Sequence, residues 1–325
     1  MKELTGLYDQ LLCPEDDFLD GLKEDAFKAG LGIKTGITLT SRDAEGGFHD
    51  FPLYVPKYAV TGICARTGGG KTTLMTNLAV RMSMSDAFGL FVTLEEPAFS
   101  ITAKMLAAYS SWKNPNHSLE GLTNSEALKV IAQKATHKDL EGFRKAVLSR
   151  CRTVDANGLA DREDIESATV LYNPQYITDL INYRDSRSSR KLDYVLIDFG
   201  QLLESSVDNS NSYQRMKGVM MALKNLAGSG VAVVAGFQMK REVIGFNIWD
   251  WEPEQIRDGS DAEQACSMLI AVGRDTDKDY QGDERDVIRL MKNRNGAKRV
   301  GGRMIIDFAR NAVPSMTSQP TGDEL

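Results

Sequence analysis

A glycine-rich segment near residue 70 has the residue types needed to bind phosphate. The sequence reads ARTGGGKTT after an apolar run and before a helix-forming segment. Successive glycines let the backbone curl so that its N–H groups point at phosphate oxygens, and the start of the following helix adds positive potential. The pattern is GxxxxGK[ST] with alanine in place of the first glycine. The predicted phosphate loop consists of Ala65, Arg66, Thr67, Gly68, Gly69, Gly70, Lys71, Thr72 and Thr73.

Two residues of this loop and one distant aspartate predict a site for ATP and Mg²⁺. The Lys71 ammonium can reach the β- and γ-phosphates, and the Thr72 hydroxyl can ligate the metal. Asp198 ends the apolar segment YVLIDF, where a carboxylate would face the phosphates. An aspartate at a strand end is by itself more typical of a turn or a helix cap. Together with the phosphate loop, it predicts a second magnesium ligand.

A pair of glutamates could supply the base for hydrolysis. The segment FVTLEEP places Glu95 and Glu96 at the end of an apolar run, and Pro97 suits the first turn of a new helix. A carboxylate in this position could orient and deprotonate a water molecule. The alternative is that both acids only stabilise the amino terminus of the helix. We predict that Glu95 is the catalytic base.

Three more residues at strand ends are candidates for contact with the γ-phosphate. Gln238 ends the segment GVAVVAGFQ, and its amide could bond the γ-phosphate before hydrolysis and lose that bond afterwards. Lys292 and Arg294 are two residues apart and so share a face. A forked guanidinium suits the charge of a transferring phosphoryl group, although a solvated basic surface is the alternative. If this pair acts on a neighbour's nucleotide, the protein forms a ring or a filament.

Loops after the strand ends are candidates for contact with single-stranded DNA. Backbone N–H groups and arginines can hold successive phosphates without reading the bases, whereas surface salt bridges are the alternative for each residue alone. Trp249 and Trp251 could stack on bases, but packing beneath the loop is favoured. The predicted DNA-binding residues are Arg257, Asp258 and Gly259, followed by Lys240 and Arg241.

The elements that must position these residues alternate between strands and helices. Several runs are apolar on consecutive residues, which is typical of parallel strands covered on both faces. The alternation predicts an α/β fold with a mostly parallel twisted sheet flanked by helices. Residues 33–57 are predicted to be loop, and residues 108–192 to be an insertion of surface helices. The predicted strands cover 59–65, 89–95, 193–199, 230–238, 267–273, 286–291 and 303–308, with helices at 72–84 and 213–228.

The chain divides into three predicted parts. Residues 1–30 carry two short apolar stripes at helical spacing, so they form an arm that must pack on its own body or on a neighbouring subunit. Residues 31–313 form the α/β domain. Residues 314–325, rich in small and polar residues, form a disordered tail.

Charge is distributed unevenly along the 325 residues. The net charge is −6, and residues 1–50 account for all of it with 5 Lys and Arg against 11 Asp and Glu. The remainder is neutral and can therefore bind DNA through a local basic surface. One such cluster consists of Arg289, Lys292, Arg294, Lys298, Arg299 and Arg303.

A cytoplasmic protein without membrane segments is the default expectation. No apolar run approaches the roughly 18–20 residues that span a bilayer, and the acidic start of the chain does not resemble a secretory signal. The 4 cysteines form no CxxC pair, so they are expected to be buried small apolar residues in a reducing compartment.

These motifs together resemble the C-terminal, RecA-like motor domain of the DnaB-type replicative helicases. The resemblance covers about residues 30–312. GIKTG at 32–36 resembles the G-I-x-T-G that opens that domain, and ARTGGGKTT resembles its phosphate loop, with Thr67 in place of the usual proline. TLEEP resembles S-L-E-M-P, whose glutamate is the catalytic base and corresponds to Glu95. IDFGQL resembles I-D-Y-L-Q-L, with Asp198 and Gln201 matching and Gly200 in place of an aliphatic residue.

The later motifs occur in the family's order as well. GFQMKRE resembles L-S-Q-L-N-R-x, which implies a γ-phosphate sensor at Gln238. IRDGSDAEQ resembles L-R-E-S-G-S-I-E-Q, with Arg257 matching and Gly259 shifted by one position. KNRNG resembles K-Q-R-N-G, whose Lys and Arg reach the ATP of the neighbouring subunit and correspond to Lys292 and Arg294.

The resemblance implies an ATP-dependent DNA helicase motor that translocates 5′–3′ on single-stranded DNA as a homohexamer. The acidic arm takes the place of the family's N-terminal helical domain and is expected to dock on the next subunit. A helicase loader and other replication proteins are candidate partners. Two alternatives stay open: a RecA- or RadA-like recombination ATPase, whose corresponding motif KNRNG also resembles, and a nucleotide-gated DNA-binding assembly or loader protein.

Overall fold

The computed structural model describes residues 32–42, 48–113, 135–155, 173–203, 212–257, 260–276, 285–294 and 301–302. Several predictions fall outside these ranges. They are the arm at 1–30, the tail at 314–325, the strand at 303–308, the candidate DNA-binding residues Asp258 and Gly259, and the basic residues Lys298, Arg299 and Arg303.

The strands form a two-stranded hairpin and a large mixed sheet. Within the described ranges the strands are β1 (Ile33–Arg42), β2 (Phe48–Val55), β3 (Val60–Ala65), β4 (Gly89–Thr93), β5 (Cys151–Asp155), β6 (Tyr194–Asp198), β7 (Ala232–Gln238), β8 (Met268–Asp275), β9 (Arg285–Asn293) and β10 (Gly301–Gly302). The large sheet has the order β10-β9-β8-β3-β7-β6-β4-β5. The six strands from β8 to β5 in this order are parallel, and β9 and β10 pair antiparallel at the other end.

Helices cover both faces of this sheet. The described helices are α1 (Lys71–Met84), α2 (Ala98–Lys113), α3 (His137–Phe143), which continues as a π-helical turn Arg144–Leu148, α4 (Pro174–Ser186), α5 (Ser212–Gly228) and α6 (Ser260–Ala265). One buried cluster joins the sheet to α1 and α2, through residues such as Leu78 and Met105. A second cluster joins it to α4, α5 and α6, through residues such as Leu223. The predicted α/β fold with a mostly parallel sheet is confirmed.

Two sequence-based predictions about the fold are wrong. The segment 33–57, predicted as loop, contains β1 and β2, which pair as an antiparallel hairpin. In β1, the side chains from Ile33 to Leu39 alternate between buried and more exposed positions, which is the period-two signal of a strand with one covered face. Arg81 of α1 holds this hairpin in place because its Nη1 donates to the Gly36 carbonyl oxygen at 2.6 Å. Burial lowers the pKa of the Arg81 guanidinium to about 10, so it remains charged at neutral pH.

The described parts of the region 108–192 belong to the α/β domain and not to an insertion of surface helices. It contains β5, which pairs with β4 at one end of the main sheet. The helical segment before β5 buries Phe143 and Val147 in the same apolar cluster as α1. The strand signal was weak because β5 reads CRTVD, with an exposed Arg152 in an end strand that is covered less completely than its neighbours.

A glycine allows close packing at the start of β4. Gly89 pairs with Tyr194 of β6. The Tyr194 hydroxyl donates to the Ala79 carbonyl oxygen at 3.2 Å and lies 2.9 Å from Ser83 Oγ, so the ring ties the sheet to α1. A Cβ atom at position 89 would lie 2.1 Å from the tyrosine ring.

We therefore expect Gly89→Ala to destabilise the fold. Because Tyr194 is fully buried, its ring has no space into which it could move. Overpacking of this kind costs about 1–3 kcal/mol, which lowers the melting temperature by roughly 2–4 °C per kcal/mol in a domain of this size. The control is Gly228→Ala, where nothing lies within 4 Å of the new methyl group. Thermal unfolding of both variants checks the prediction, and equal melting temperatures would contradict it.

Candidate nucleotide-binding site

The phosphate loop curls around a cradle lined by backbone groups. Gly68 and Gly70 have φ of 73° and 90°, in the left-handed region that favours glycine. The Gly69 N–H donates to the Arg66 carbonyl oxygen at 2.9 Å and closes the turn. Gly70 precedes the first residue of α1, and no side chain caps that end of the helix. The first N–H groups of α1 can therefore bind an anion.

Three side chains form a compact polar cluster beneath this loop. Thr72 Oγ1 donates to Asp198 Oδ2 at 2.6 Å. Lys71 Nζ lies 3.4 Å from Asp198 Oδ1 and 4.0 Å from the centre of the Phe199 ring. The Asp198 side chain is only 3% exposed and that of Lys71 13% exposed, so the charges interact in a poorly solvated environment.

This cluster fits a magnesium-bound triphosphate. Asp198 Oδ1 is buried and accepts no hydrogen bond from any described residue. Together with the Thr72 hydroxyl, it provides oxygen ligands of the kind that Mg²⁺ prefers. No group of three or more His, Cys, Asp or Glu side chains suited to a metal occurs among the residues described.

The remaining loop residues have distinct environments. Ala65 is buried at the end of β3, and its carbonyl oxygen accepts from Met239 N at 2.9 Å. Arg66 and Thr67 are exposed at the outer side of the loop. Thr73 is buried in the first turn of α1, and its carbonyl oxygen accepts from Asn77 Nδ2 at 2.8 Å. Thr73 therefore supports the helix start.

Gly236 is a site residue that sequence reasoning missed. It lies in β7 beneath the Lys71 side chain, where a Cβ atom would be 2.7 Å from Lys71 Cδ and 3.3 Å from Asp198 Oδ1. The absence of a side chain at this position lets Lys71 cross the sheet towards Asp198. The sequence held no signal for this role, because the role depends on which strand pairs next to β3.

The two glutamates after β4 have different environments. Glu96 is tied to its own helix, because its carboxylate accepts from Lys104 Nζ at 2.5 Å and from Ser100 Oγ at 2.7 Å. Burial raises the pKa of Glu96, but these hydrogen bonds outweigh it and lower the pKa below its usual value. Glu95 is exposed, and no described residue bonds to its carboxylate. Its backbone position is fixed at the carboxyl edge of the sheet, since the adjacent Leu94 N–H donates to the Asp198 carbonyl oxygen at 2.8 Å.

Gln238 lies beside the phosphate loop. It ends β7, next to β3, and its Nε2 donates to Thr67 Oγ1. The structure thus brings residues 65–73, Glu95, Asp198 and Gln238 to one edge of the sheet, where parallel strands end and where ligands of α/β folds typically bind.

The loop after β7 is folded around buried side chains. Trp251 is 2% exposed and packs against Gly273 of β8, and Trp249 is partly buried against the same apolar cluster. Packing beneath the loop, rather than base stacking, was the favoured expectation for both. Arg289 of β9 is also buried, and its Nη1 donates to the carbonyl oxygens of Ile248 and Trp251 at 2.8 and 2.7 Å. Arg289 therefore anchors this loop and does not belong to a basic surface cluster.

The described DNA-binding candidates lie where this loop begins and ends. Arg241 and Arg257 are exposed. The Arg257 N–H donates to the Gln238 carbonyl oxygen at 2.9 Å. Lys240 Nζ donates to the Glu254 carbonyl oxygen at 3.0 Å, so it closes the loop on itself.

Lys292 and Arg294 lie at the opposite edge of the sheet from the phosphate loop. Lys292 pairs with Leu269 near the start of β8, a strand that runs parallel to β3. Lys292 Nζ donates to the Glu263 carbonyl oxygen, and an Arg294 Nη donates to that of Gln264 at 2.5 Å, so both contact the carboxyl end of α6. Burial, followed by the neighbouring Arg294 charge, lowers the pKa of Lys292.

The described cysteines behave as buried apolar residues. Cys64, Cys151 and Cys266 are free and buried. Burial raises the pKa of Cys151 and that of Cys266 to about 12, so both thiols stay protonated. In the described part of the chain, every helix is too short or too polar to cross a lipid bilayer.

Comparison with known proteins places the chain in a family. The family model of the DnaB-like helicase C terminal domain matches residues 32–311. One solved ATPase domain is similar in structure, with a TM-score of 0.66 and 18% identity over 94% of this chain and 99% of that chain. A DnaB-like replicative helicase, whose structure was described with its interactions with primase, gives a TM-score of 0.66 and 18% identity over 93% of this chain and 67% of that chain.

At this level of identity, the structural similarities establish the fold alone. No curated protein sequence matches the chain. The family match confirms the resemblance in the motifs, because it covers most of the sequence and contains all of them. This chain belongs to the family of DnaB-like helicase C-terminal domains and is an ATPase and helicase of that family.

Proposed function

We propose that this protein is a homohexameric motor that translocates on single-stranded DNA and hydrolyses ATP between its subunits. The observation that carries the proposal is the placement of two groups at opposite edges of one sheet. The phosphate loop, Asp198 and Gln238 lie at the carboxyl edge, and Lys292 and Arg294 lie at the amino edge.

The distance between these edges favours action on a neighbouring subunit. The row of Thr61 and Met268 lies four residues before Ala65 along β3. At about 3.3 Å per residue, this separates the two edges by roughly 13 Å along the strands. Lys292 and Arg294 face away from their own phosphate loop, so we assign them to the nucleotide of an adjacent subunit. Contact of two different surfaces is the head-to-tail arrangement that forms a ring when the rotation between subunits closes and a filament when it does not.

Each residue at the carboxyl edge has a proposed role in hydrolysis. Glu95 orients and deprotonates the attacking water, a role that fits its exposed carboxylate next to the strand end. Lys71 and the loop N–H groups hold the phosphates, and Thr72 and Asp198 hold the metal. A magnesium ion held by these two residues would neutralise the charge that develops on the phosphate oxygens. Arg294 adds a forked guanidinium from the neighbour.

DNA binding is assigned to the loop that begins and ends beside Gln238. Arg257, Asp258 and Gly259 would contact the DNA first, and Lys240 and Arg241 would support them. Since Lys240 already bonds to the backbone within the loop, we expect it to shape the loop more than to bind phosphate. The acidic arm at residues 1–30 is proposed to dock on the next subunit, and a helicase loader is a candidate partner.

The metal site predicts different effects for two substitutions of Thr72. Thr72→Val keeps the side-chain shape but removes the hydroxyl that bonds Asp198, whereas Thr72→Ser keeps the hydroxyl. Metal ions supply several kcal/mol of transition-state stabilisation, and each 1.36 kcal/mol is tenfold in rate. We expect Thr72→Val to lower Mg²⁺-dependent ATPase by about 100-fold or more, and Thr72→Ser to lower it by no more than about threefold. Equal ATPase rates for both variants would show that the Thr72 hydroxyl does not ligate the metal.

Gly236→Ala is expected to impair catalysis more than folding. The new methyl group would meet the middle of the Lys71 side chain, which is flexible, so the free energy of unfolding should change little. Displacement of the ammonium by about 1 Å can cost on the order of 100-fold in rate. Steady-state ATPase and thermal unfolding test this prediction, with Gly228→Ala as the control. A normal ATPase rate would show that bound ATP draws Lys71 along a different path.

Mixing two inactive variants tests the proposed ring. Lys71→Ala and Arg294→Ala should each abolish single-stranded-DNA-stimulated ATPase. In rings assembled from equal amounts of both, roughly a quarter of the interfaces would combine an intact phosphate loop with an intact Arg294 from the neighbour. We expect ATPase to return in the mixture, and mixing either variant with itself is the control.

Two results would contradict the proposed function. If no mixture of these variants regains activity, Arg294 does not act on a neighbour. If single-stranded DNA fails to stimulate the wild-type ATPase several-fold, the nucleotide-gated loader is favoured over the motor. Strand exchange without unwinding would favour the recombination ATPase.

A further inference from the structure

Both polar atoms of the Gln201 side-chain amide form hydrogen bonds within the protein. It lies in the 3-10 turn Gly200–Leu202 that follows β6, and it is only 7% exposed. Its Oε1 accepts from the Gln238 N–H at 2.7 Å. Its Nε2 donates to the Arg257 carbonyl oxygen at 2.5 Å and lies 3.5 Å from that of Gln238. A single planar group thus bonds to two segments that lie 19 positions apart in the sequence.

Those two segments, residues 238–240 and 255–257, form what we call the loop neck. The Arg257 N–H donates to the Gln238 carbonyl oxygen at 2.9 Å, and the Lys240 N–H donates to that of Gln255 at 2.8 Å. Met239 and Ile256 pair as an antiparallel bridge between them. These bonds close the loop neck, and Gln201 is the side chain that bonds both of its sides to the turn after β6.

The turn that carries Gln201 is attached directly to the metal site. Asp198, which accepts from Thr72, ends β6 three residues earlier. Gly200 brings this turn close to β7, since a Cβ there would lie 3.3 Å from Phe237 Cε1 and 3.4 Å from the Gly236 carbonyl oxygen. The glycine that replaces the aliphatic residue of the resembled motif therefore lets the turn lie close against β7.

A different contact attaches the loop neck to the phosphate loop. The Gln238 side chain donates to Thr67 of the phosphate loop, while its backbone N–H donates to Gln201. If a γ-phosphate accepted the hydrogen bond that the Gln238 side chain donates to Thr67, residues 238–240 would be drawn towards the phosphate. The hydrogen bonds of Gln201 would limit or redirect that movement. The Arg257 carbonyl, at the entrance to the proposed DNA contact, is held by the same amide.

We infer that Gln201 is a positioning residue that couples the state of the nucleotide to the DNA-binding loop. It fixes both sides of the loop neck to the turn after Asp198, so that a change at Gln238 reaches Arg257 as a defined displacement. The inference rests on the proposed function, because it requires a nucleotide at residues 65–73 and DNA at the loop. Its physical basis is that one glutamine amide accepts and donates at the same time, from a side chain that is itself only 7% exposed.

The test measures the ratio of DNA affinities in two nucleotide states. Binding of a fluorescent oligo-dT is measured in Mg²⁺ with ADP and with a non-hydrolysable ATP analogue. Coupling between two sites typically changes affinity by about 5–150-fold, and we expect the wild type to lie in this range. Gln201→Met, which has similar length and no amide, is expected to bring the ratio to within about twofold of unity. Gln201→Glu should do the same, since its carboxylate cannot donate to the Arg257 carbonyl oxygen.

The matched control is Gln255→Met, which makes the same substitution within the loop neck. It removes the bond from the Glu252 N–H to Gln255 Oε1 at 2.9 Å but leaves the backbone bonds of the loop neck intact. We expect it to keep the wild-type ratio to within about threefold. A ratio lost equally in this control would show that any loosening of the loop abolishes coupling, and it would overturn a specific role for Gln201.

The remaining outcomes separate this inference from the proposed function. If the wild type shows a nucleotide-dependent ratio and Gln201→Met keeps it, the inference is overturned while the proposed function stands. If the wild type shows no DNA binding in either state, the proposed function fails and the inference fails with it. Should Gln201→Met not fold, hydrogen exchange on the wild type replaces it. Peptides covering 236–240 and 254–258 should then change protection together between the two nucleotides, and a change in the first alone would overturn the inference.

Discussion

The hydrogen bond between Thr72 and Asp198 is the contact on which the rest of the site depends. It joins the first turn of α1 to the end of β6, two elements separated by 126 positions in the sequence. The neighbouring Lys71 ammonium lies 3.4 Å from the other carboxylate oxygen, so the buried negative charge has a cationic partner. A buried charge is tolerated only when it is paired and hydrogen-bonded, so the fold must hold these two elements in register. The order of the strands, with β7 between β3 and β6, sets the spacing across which the two elements meet.

Much of this arrangement could be predicted from sequence because its signals are local. The strands that end in Ala65, Asp198 and Gln238 are covered on both faces, so their residues are apolar in succession and easy to recognise. The phosphate loop is likewise a contiguous pattern with a strand before it and a helix after it. In contrast, β1, β2 and β5 mix polar residues with apolar ones, since they lie outside the fully covered centre of the main sheet.

The parts that could not be predicted depend on contacts between distant segments. Arg289 reads as a member of a basic cluster, but the pairing of β8 with β9 carries it beneath the loop after β7. Gly236 becomes important only because β7 lies next to β3. Gln201 matched a family motif, yet its bonds to Gln238 and Arg257 follow from how a loop returns to its starting point. In each case the residue type was visible, whereas its partner was decided by strand order and register.

The contacts of Lys292 and Arg294 with α6 have a consequence for the proposed ring. Both cations neutralise the carboxyl end of a short helix whose first residue is three positions after Arg257. A positive charge at a helix carboxyl terminus contributes about 0.3–1 kcal/mol. If either side chain swings across to a neighbour's phosphate, it withdraws that support from α6 in its own subunit. In the proposed ring, capture of a triphosphate by one protomer would therefore loosen the helix that borders the proposed DNA loop of the next. The stability of α6 would then depend on the nucleotide bound to the neighbouring protomer.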